Sequence, residues 1–408
     1  MKKALFWILL PGSLLGLLAW HFMLAAPANK PLRLGVLHAL TGDMAVSEAP
    51  LVDAIRLAAE EINAQGGLLG HPLELVVVDS RSDDSRVAAD AERLFVQEQI
   101  RVLFGCWTSS CRKAVKPVVE RLDQLMFYSA RHEGMEESNN IFYTGDTPNQ
   151  QLIPGARWAM KMFGKRICLV QSNHLFSQTA HMILQDVITL DGGEILAEHT
   201  LAQDTFDAAQ LTNELKRHQA DLVLNSLVGP VNALFFATLE QNGLADLPVV
   251  SLDIAEVELQ AWGGTRLHQH YGIWSYFQSL PGEDNRKFVS AFKARYGNDR
   301  VTSAPIEAAY VSVLLWANAV RNENSWNPKL LKYSINRQSV PGPSGISALD
   351  SISHYMWQTV RIGHVQPDGQ FQQVFSSLAP LRPLPWPINH SRQEWQTMIA
   401  APDKLKHP

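Results

Sequence analysis

Short apolar segments alternate with longer amphipathic segments along most of the chain, a pattern typical of strands separated by helices. Leu32–Leu37 is predicted as the first strand, and Ser47 as the N-cap of a helix that runs to about Ala64 and ends at Gly66-Gly67. The scheme then repeats, with predicted strands at 73–78, 102–104 and 125–128 and predicted helices at about 84–98 and 110–123.

A second series of the same kind begins near Pro148 and closes near Ser251. Gly192-Gly193 ends one of its helices as Gly66-Gly67 ends the first helix. Two matching series predict an α/β fold with two Rossmann-like, doubly wound parallel sheets. The helices are predicted at 148–163, 175–190, 207–219 and 230–241, and the strands at 166–171, 194–199, 221–225 and 248–251.

The last third of the chain is too short for an independent domain of ordinary size, so we expect it to complete the two earlier units. It holds predicted helices at 284–296 and 305–321 and a pair of late strands near 355–362 and 370–375, joined by the turn-rich stretch 364–369. The expected organisation is one lobe from 31–147 and 275–350, a second lobe from 148–274 and 351–390, and a tail at 391–408. A ligand cleft is expected between the lobes.

Composition narrows the class of protein. The 408 residues carry a net charge of −5 without basic runs, which argues against nucleic acid as a partner. Three cysteines are too few for a disulfide scaffold or a cysteine-rich zinc module. Only 18% of the residues are charged, against roughly 25% in average soluble domains.

The N-terminus has the pattern of an export segment. Lys2 and Lys3 precede Ala4–Ala26, a stretch without formal charge that could span a bilayer as a helix. Ala26-Pro27-Ala28 offers small residues for cleavage after Ala28. We expect a periplasmic protein, with residues 1–28 either cleaved as a signal peptide or retained as an inner-membrane anchor. No other contact with a membrane is expected.

In open parallel sheets, ligands gather where the strands end, because loops and helix N-termini converge there. After the third strand, Trp107 could stack on a planar ligand, and the hydroxyls of Thr108 and Ser109 could hold a polar group. Alternatively, Ser109 or Ser110 only caps the next helix.

The loop after the fourth strand supplies a second group of candidates. Arg131 could bind a carboxylate with two parallel hydrogen bonds, or could simply be solvated or pair with Glu133 or Glu136. The same strand-end rule selects positions in both series. The remaining candidate ligand-binding residues are Tyr128 and Ala130 in the first series, and His174, Phe176, Val228, Gly229 and Asp253 in the second.

Enzyme signatures are absent from the sequence. There is no G-x-S-x-G elbow, Walker lysine loop, H-E-x-x-H or G-x-G-x-x-G after the first strand, so we predict no catalytic residue, cofactor or metal ligand. Cys106 and Cys111 are close enough for a tight disulfide, but we expect two free thiols. Cys168 is expected in the core of its strand.

A set of short segments, spread over about Leu32 to Trp395, is informative in combination: Gly66–Gly70, Gly105–Ser109, Arg112–Val115, Pro117–Glu120, Glu133-Gly134, Phe142-Tyr143, Pro148–Gln151, Tyr276–Ser279, Glu307–Tyr310 and Asp368–Phe371. Together they resemble type I periplasmic binding proteins of the urea and short-chain amide branch. The resemblance implies a two-lobed clamp with three crossovers that holds a small polar ligand. It also implies that Trp107, Ser109 and Tyr128 occupy ligand-contacting positions.

Two departures from that branch bear on the ligand. Ser129–His132 replaces a neutral stretch that ends in tyrosine, and the second series has Asn173, His174, Phe176 and Ser177 where the relatives carry aspartate, tyrosines and proline. The losses of phenol groups and the gain of positive charge favour, as a hypothesis, a larger or carboxylate-bearing ligand over urea or acetamide.

Two functions remain open at this point. The protein either delivers a urea-, amide- or amino-acid-like solute to an ABC permease, or senses such a ligand and docks on a membrane kinase or regulator. The missing catalytic set argues against a third class, an extracytoplasmic hydrolase. Both remaining functions use the same mechanism, in which the ligand stabilises the closed form of the clamp.

Overall fold

The computed structural model describes residues 29–400. The predicted export segment and the last residues of the predicted tail, 401–408, lie outside this range. Within 29–400, no helix combines the length and the apolar character needed to cross a membrane.

The first part of the chain builds a five-stranded parallel sheet in the order β2-β1-β3-β4-β5. Leu32 lies opposite Leu73, and Val36 lies opposite Phe104, so β1 is an interior strand with a partner on each side. Its elements are β1 (Leu32–His38), α1 (Ala45–Ala64), β2 (Leu73–Asp79), α2 (Val87–Val96), β3 (Leu103–Gly105), α3 (Ser109–Arg121), β4 (Met126–Tyr128) and β5 (Ile141–Tyr143).

The second part builds a seven-stranded sheet in the order β14-β13-β10-β9-β8-β6-β7, in which β13 is Arg361–Val365 and β14 is Phe371–Ser376. Strands β6 to β10 run parallel, and β13 and β14 add an antiparallel edge. The elements up to the end of the parallel part are α4 (Leu152–Phe163), β6 (Arg166–Gln171), α5 (Leu175–Leu190), β7 (Glu194–Thr200), α6 (Ala208–His218), β8 (Leu222–Ser226), α7 (Val231–Gln241), β9 (Val249–Ser251), α8 (Glu256–Trp262) and β10 (His270–Trp274).

The chain then returns to the first sheet before it finishes the second. Tyr310 donates its hydroxyl to Glu61 at 2.5 Å, and Arg300 bonds Asp53 at 2.8 Å, which ties the returning helices to α1. The remaining elements are α9 (Glu283–Tyr296), α10 (Ala304–Glu323), α11 (Pro328–Ile335), the hairpin β11 (Ser339–Gly342) and β12 (Gly345–Ala348), the hairpin β13 (Arg361–Val365) and β14 (Phe371–Ser376), and α12 (Arg392–Ala400).

The described chain therefore folds into two α/β lobes, and the expected fold class is confirmed. Lobe 1 is the five-stranded sheet with its helices, and lobe 2 is the seven-stranded sheet with its helices. Helices pack against both sheets, and interior strands such as Leu222–Ser226 are buried along their whole length. The chain crosses between the lobes at 144–151, 275–282 and 349–360.

Several predicted elements differ from the structure. Ser47 does not cap the first helix, which begins at Ala45. The helix predicted at 148–163 is a short 3₁₀ turn, Pro148–Gln150, followed by α4, because Gln151 leaves the helical region of backbone conformation. The late strands start later than predicted, and the short strands β5 and β10 were not predicted. The predicted late hairpin is confirmed.

Buried carboxyl groups join the crossings. Asp146 in the first crossing accepts a hydrogen bond from the backbone N–H of Ser275 in the second at 3.3 Å. Glu256, at the start of α8, accepts one from the N–H of Gln278 at 2.7 Å. Both side chains are buried. Burial raises the pKa of Asp146 to about 7 and that of Glu256 to about 8, although these hydrogen bonds act in the opposite direction.

We expect the protein to lose stability between pH 6.5 and 8.5. A carboxyl group with a raised folded pKa contributes stability below its unfolded pKa and loses it as the pH rises through its folded pKa. For Glu256 this amounts to about 2 kcal/mol across that window, at about 1.4 kcal/mol per pH unit up to its folded pKa. Urea unfolding at the two pH values should show a smaller loss for Glu256→Gln than for the wild type.

The matched control is Glu323→Gln, because Glu323 is exposed near the end of α10. This variant should keep the wild-type dependence on pH. An identical dependence in wild type and Glu256→Gln would contradict the proposed role of Glu256.

Candidate functional site

Strand-end loops of both lobes meet in one place. The small cavity between them is lined by Thr108, Ser109, Ser110 and Arg131 of lobe 1 and by His174, Leu175, Phe176 and Val228 of lobe 2. The carboxyl ends of parallel strands carry loops and helix N-termini, which is why both lobes present polar groups here. This inner cavity has a volume of about 10 Å³, room for about one water molecule.

The loop after β3 is fixed by a disulfide bond and a helix cap. Cys106 adopts a left-handed backbone conformation (φ 66°), and the chain turns so that the Cα atoms of Cys106 and Cys111 lie 5.5 Å apart and the two residues are disulfide-bonded. Thr108, not Ser109 or Ser110, is the N-cap of α3 and accepts from the N–H of Cys111 at 3.0 Å. The expectation of free thiols at Cys106 and Cys111 was therefore wrong.

Ser109 belongs to a buried ionic network inside lobe 1. Its hydroxyl donates to Glu133 at 2.5 Å, and Arg112 donates to Glu133 at 2.7 Å and to Glu136 at 3.1 Å. Arg112 is fully buried, and its charge lowers the pKa of both glutamates against the effect of their own burial. Tyr143 donates a further hydrogen bond to Glu136 at 2.8 Å. The network holds the N-terminus of α3 against the loop that carries Arg131.

Tyr128 lies behind the cleft. Its hydroxyl donates to the backbone carbonyl of Trp107 at 2.7 Å and lies 3.3 Å from that of Arg131. Burial raises the pKa of Tyr128 to about 12, so its proton stays available for these carbonyls. Ala130 is also buried, and its carbonyl lies so close to Gly145 that a Cβ there would clash with it. In this closed arrangement, Tyr128 and Ala130 position the neighbouring loop residues.

Arg131 reaches out of lobe 1 into the centre of the cleft. Its Nε lies 2.5 Å from Oδ1 of Asp253 in lobe 2, and both side chains are only 2% exposed. The N–H does not point at the oxygen, so the contact is an ion pair and not an aligned hydrogen bond. The guanidinium carbon also lies 4.0 Å from the ring centre of Phe176 and 5.1 Å from that of Trp107. Arg131 does not pair with Glu133 or Glu136.

Burial sets the ionisation of the residues around this pair. It raises the pKa of Asp253, although the positive charge of Arg131 acts to lower it. Burial and then the charge of Arg131 lower the pKa of His174, which favours the neutral imidazole. On the lobe 1 side, Arg131 supplies the charged group of the inner cavity, because the other residues that line it there are Thr108, Ser109 and Ser110.

Two further contacts hold the lobes together. Ser47 of α1 donates its hydroxyl to Glu258 of α8 at 2.6 Å, and both residues are buried. Gly229 has a φ of +83° and lies against Met44 of lobe 1, whose Cε would be 2.7 Å from a Cβ at this position. A side chain at Gly229 would therefore strain the backbone and force the methyl group of Met44 to move.

A larger outer cavity of about 630 Å³ shares His174 and Val228 with the inner one. Met44 and Asp43 line it from lobe 1, and Ser172–His174 and Leu201–Asp204 line it from lobe 2. Its volume is within the usual range for small-molecule sites. Within 29–400, no group of three or more His, Cys, Asp or Glu side chains is arranged to hold a metal ion.

The strand-end rule selected most residues around the inner cavity but missed some that shape it. Trp107, Phe176 and Asp253 each contact Arg131, and Val228 and His174 line the cavity beside it. Those not selected are Met44, Ser47, Arg112 and Glu258. Arg112 belonged to the matching segments above, which was the available signal. Nothing local marked Ser47 and Glu258, because their role depends on the packing of the two lobes.

Comparison with known proteins identifies the family to which this chain belongs. A family model described as "Periplasmic binding protein domain" matches residues 32–392. A solute-binding protein of an ABC transporter from Rhodopseudomonas palustris HaA2, solved with p-hydroxybenzoic acid, superposes with a TM-score of 0.79 at 20% identity, covering 88% of this chain and all of that one. This chain therefore belongs to the periplasmic binding protein family, and its fold is that of the type I members.

Two curated relatives match different lengths of this chain. Leu/Ile/Val-binding protein homolog 7 of Brucella melitensis is 22% identical over 294 residues, which are 67% of this chain and 73% of that protein. Limonene hydroxylase of Geobacillus stearothermophilus is 38% identical over 137 residues, or 32% of this chain. This chain thus matches only 25% of the length of the hydroxylase.

Removing the buried guanidinium of Arg112 should destabilise the protein strongly. Arg112→Met leaves Glu133 and Glu136 buried without their cation, for which we expect a loss of about 3–5 kcal/mol in the free energy of unfolding. Urea unfolding followed by circular dichroism measures this loss. Arg157→Met, which breaks the exposed pair with Asp191, should cost no more than about 1 kcal/mol.

A triple variant tests the reason for that loss. If uncompensated charge causes it, Arg112→Met combined with Glu133→Gln and Glu136→Gln should recover part of the stability. A triple variant that is less stable than Arg112→Met would show that the hydrogen-bond geometry, and not the charge balance, is decisive.

Proposed function

We propose that this protein is an extracytoplasmic solute-binding protein that closes on a small carboxylate-bearing solute and delivers it to an ABC importer. The observation that carries the proposal is the buried guanidinium of Arg131 between the lobes, flanked by Trp107 and Phe176. An arginine that reaches between two aromatic rings suits a solute with a carboxylate and an apolar or planar body. Trp107, Ser109, Arg131, His174, Phe176, Val228 and Asp253 are the proposed contacts.

The names of similar proteins support this class of solute. The Brucella relative is named for leucine, isoleucine and valine, and the Rhodopseudomonas protein was solved with p-hydroxybenzoic acid. All of these molecules carry one carboxylate on a compact body. An amino acid and an aromatic acid are both compatible with the charged centre of the cleft, and its outer cavity leaves room for either.

Urea and short amides are the alternative solutes that the sequence resemblance suggests. They carry no charge to offer Arg131 or Asp253, and Phe176 occupies one of the positions where that branch places polar residues. The geometry therefore supports a carboxylate over urea or acetamide.

A second function is a ligand-sensing subunit that docks on a membrane kinase or another regulator. Retention of Ala4–Ala26 as an N-terminal membrane anchor would favour it, because an anchored protein suits a sensor better than a released receptor. The two functions share the cleft and the closing motion, and they differ in the partner.

Isothermal titration calorimetry with 4-hydroxybenzoate, leucine, urea and acetamide tests the solute class. We expect at least one of the two carboxylates to bind and the two neutral compounds to be silent. Arg131→Gln should weaken binding of that carboxylate about 10- to 100-fold, because it removes a charge-assisted contact.

Arg157→Gln is the matched control, since it neutralises an exposed arginine in lobe 2 whose partner is Asp191. The affinity of Arg157→Gln for the bound carboxylate should equal that of the wild type. Tight binding of urea or acetamide, with no response to either carboxylate, would refute the carboxylate proposal and restore the amide alternative.

The N-terminal segment can be tested separately. Residues 1–28 fused to alkaline phosphatase should give an enzyme that is active outside the cytoplasm, because Lys2 and Lys3 precede an uncharged stretch of export length. Intact-mass analysis of the full protein then tells the partners apart. A soluble chain beginning at Asn29 supports the importer, and an uncleaved membrane-bound chain supports the sensor. An inactive fusion would contradict export.

A further inference from the structure

Three side chains surround the guanidinium of Arg131. Trp107 of lobe 1 and Phe176 of lobe 2 present their rings to it at 5.1 and 4.0 Å, and Asp253 of lobe 2 contacts its Nε at 2.5 Å. Aromatic rings within about 6 Å attract a cation, most strongly where water is excluded. Together with a carboxylate, they make a cage suited to a planar cation.

The cage draws its parts from both lobes. Arg131 belongs to lobe 1, whereas two of its three partners, Phe176 and Asp253, belong to lobe 2. The contacts with Phe176 and Asp253 therefore form only when the lobes are together. The guanidinium also leaves little empty space around it, since the inner cavity beside it has a volume of only about 10 Å³. In its geometry, Arg131 takes the place of a ligand that bridges the two lobes.

The other buried arginine of the site shows what a permanent ion pair looks like. Arg112 and its two glutamates belong to the same lobe, and their hydrogen bonds of 2.7 and 3.1 Å have acceptable angles. The pair of Arg131 and Asp253 crosses between lobes, and its N–H is not aligned with the carboxylate. Such a pair can separate when the lobes open without disturbing the packing inside either lobe.

We infer that Trp107, Phe176 and Asp253 form a guanidinium-binding cage, and that Arg131 fills it as a tethered ligand that holds the lobes together. Solute binding is then an exchange. A solute that offers Arg131 a carboxylate competes with Asp253 for the guanidinium. A solute without a carboxylate leaves the contact between Arg131 and Asp253 in place. The inference rests on the proposed function only in taking the cleft as the solute site.

Chemical rescue tests the cage directly. Arg131→Ala removes the side chain beyond Cβ, and ethylguanidinium contains the same atoms as the removed part. Without added compounds, small-angle scattering should show a larger radius of gyration for Arg131→Ala than for the wild type. Millimolar ethylguanidinium chloride should return Arg131→Ala to the wild-type radius and raise its melting temperature, because the cation refills the cage and bridges the lobes.

Three controls make the result specific. Sodium chloride at the same concentration should leave Arg131→Ala open. Ethylguanidinium should leave the double variant Arg131→Ala with Asp253→Ala open as well. Arg295→Ala, which removes an exposed arginine paired with Glu60 inside lobe 1, should keep the wild-type radius. An Arg131→Ala variant as compact as the wild type, or rescue equal to that by sodium chloride, would overturn the inference.

Asp253→Asn covers the case in which Arg131→Ala aggregates. It keeps the shape of the carboxylate but removes its charge, so the radius should increase and ethylguanidinium should not reverse the change. An Asp253→Asn variant that stays compact would overturn the inference that Arg131 and Asp253 hold the lobes together. None of these measurements uses a transported solute. Failure of the rescue therefore leaves the proposed solute site standing, and failure of the calorimetric screen leaves the cage standing.

Discussion

The central constraint of this structure is a charge held in a place that excludes water. The guanidinium of Arg131 is 2% exposed, and removal of an ion from water costs several kcal/mol unless opposite charge and polar contacts offset the cost. Those contacts come from Trp107 in its own lobe and from Phe176 and Asp253 across the cleft. The favourable environment of Arg131 therefore exists only in the closed arrangement, and the fold of both lobes must deliver these groups to one point.

Lobe 1 achieves this by making its side of the cleft rigid. The disulfide of Cys106 with Cys111 and the cap by Thr108 fix the loop that bears Trp107. Tyr128 then joins this loop to the next one through the carbonyls of Trp107 and Arg131. Below both loops, the buried network of Arg112 fixes the start of α3 through the hydrogen bonds of Ser109 and Arg112 to Glu133. These groups have their polar partners inside lobe 1, so they stay in place whether or not the lobes separate.

The sequence carried enough information for the fold class and for half of the site. Repeated strand and helix lengths with double glycines predicted both sheets, and the strand-end rule selected Trp107, Arg131 and Asp253. It could not predict that Arg131 pairs with Asp253, because 122 positions separate them and their contact depends on how two lobes meet. The disulfide escaped prediction for a related reason, since it needs the rare backbone conformation of Cys106. Strand β10 was missed because Gly272 interrupts its apolar pattern.

The energetics of the cleft also bear on which solutes can enter it. A solute that inserts between Arg131 and Asp253 must separate two charges that are 2.5 Å apart. At an effective dielectric constant of about 20, an increase in their distance to about 6 Å removes about 4 kcal/mol of attraction. A neutral molecule such as urea has only hydrogen bonds to offset this loss, worth about 1 kcal/mol each. A carboxylate restores a full opposite charge beside Arg131, and burial, which raises the pKa of Asp253 against the charge of Arg131, favours protonation of this acid once the guanidinium leaves it. Under the proposed function, the burial that makes this ion pair costly to separate also favours charged solutes over neutral ones.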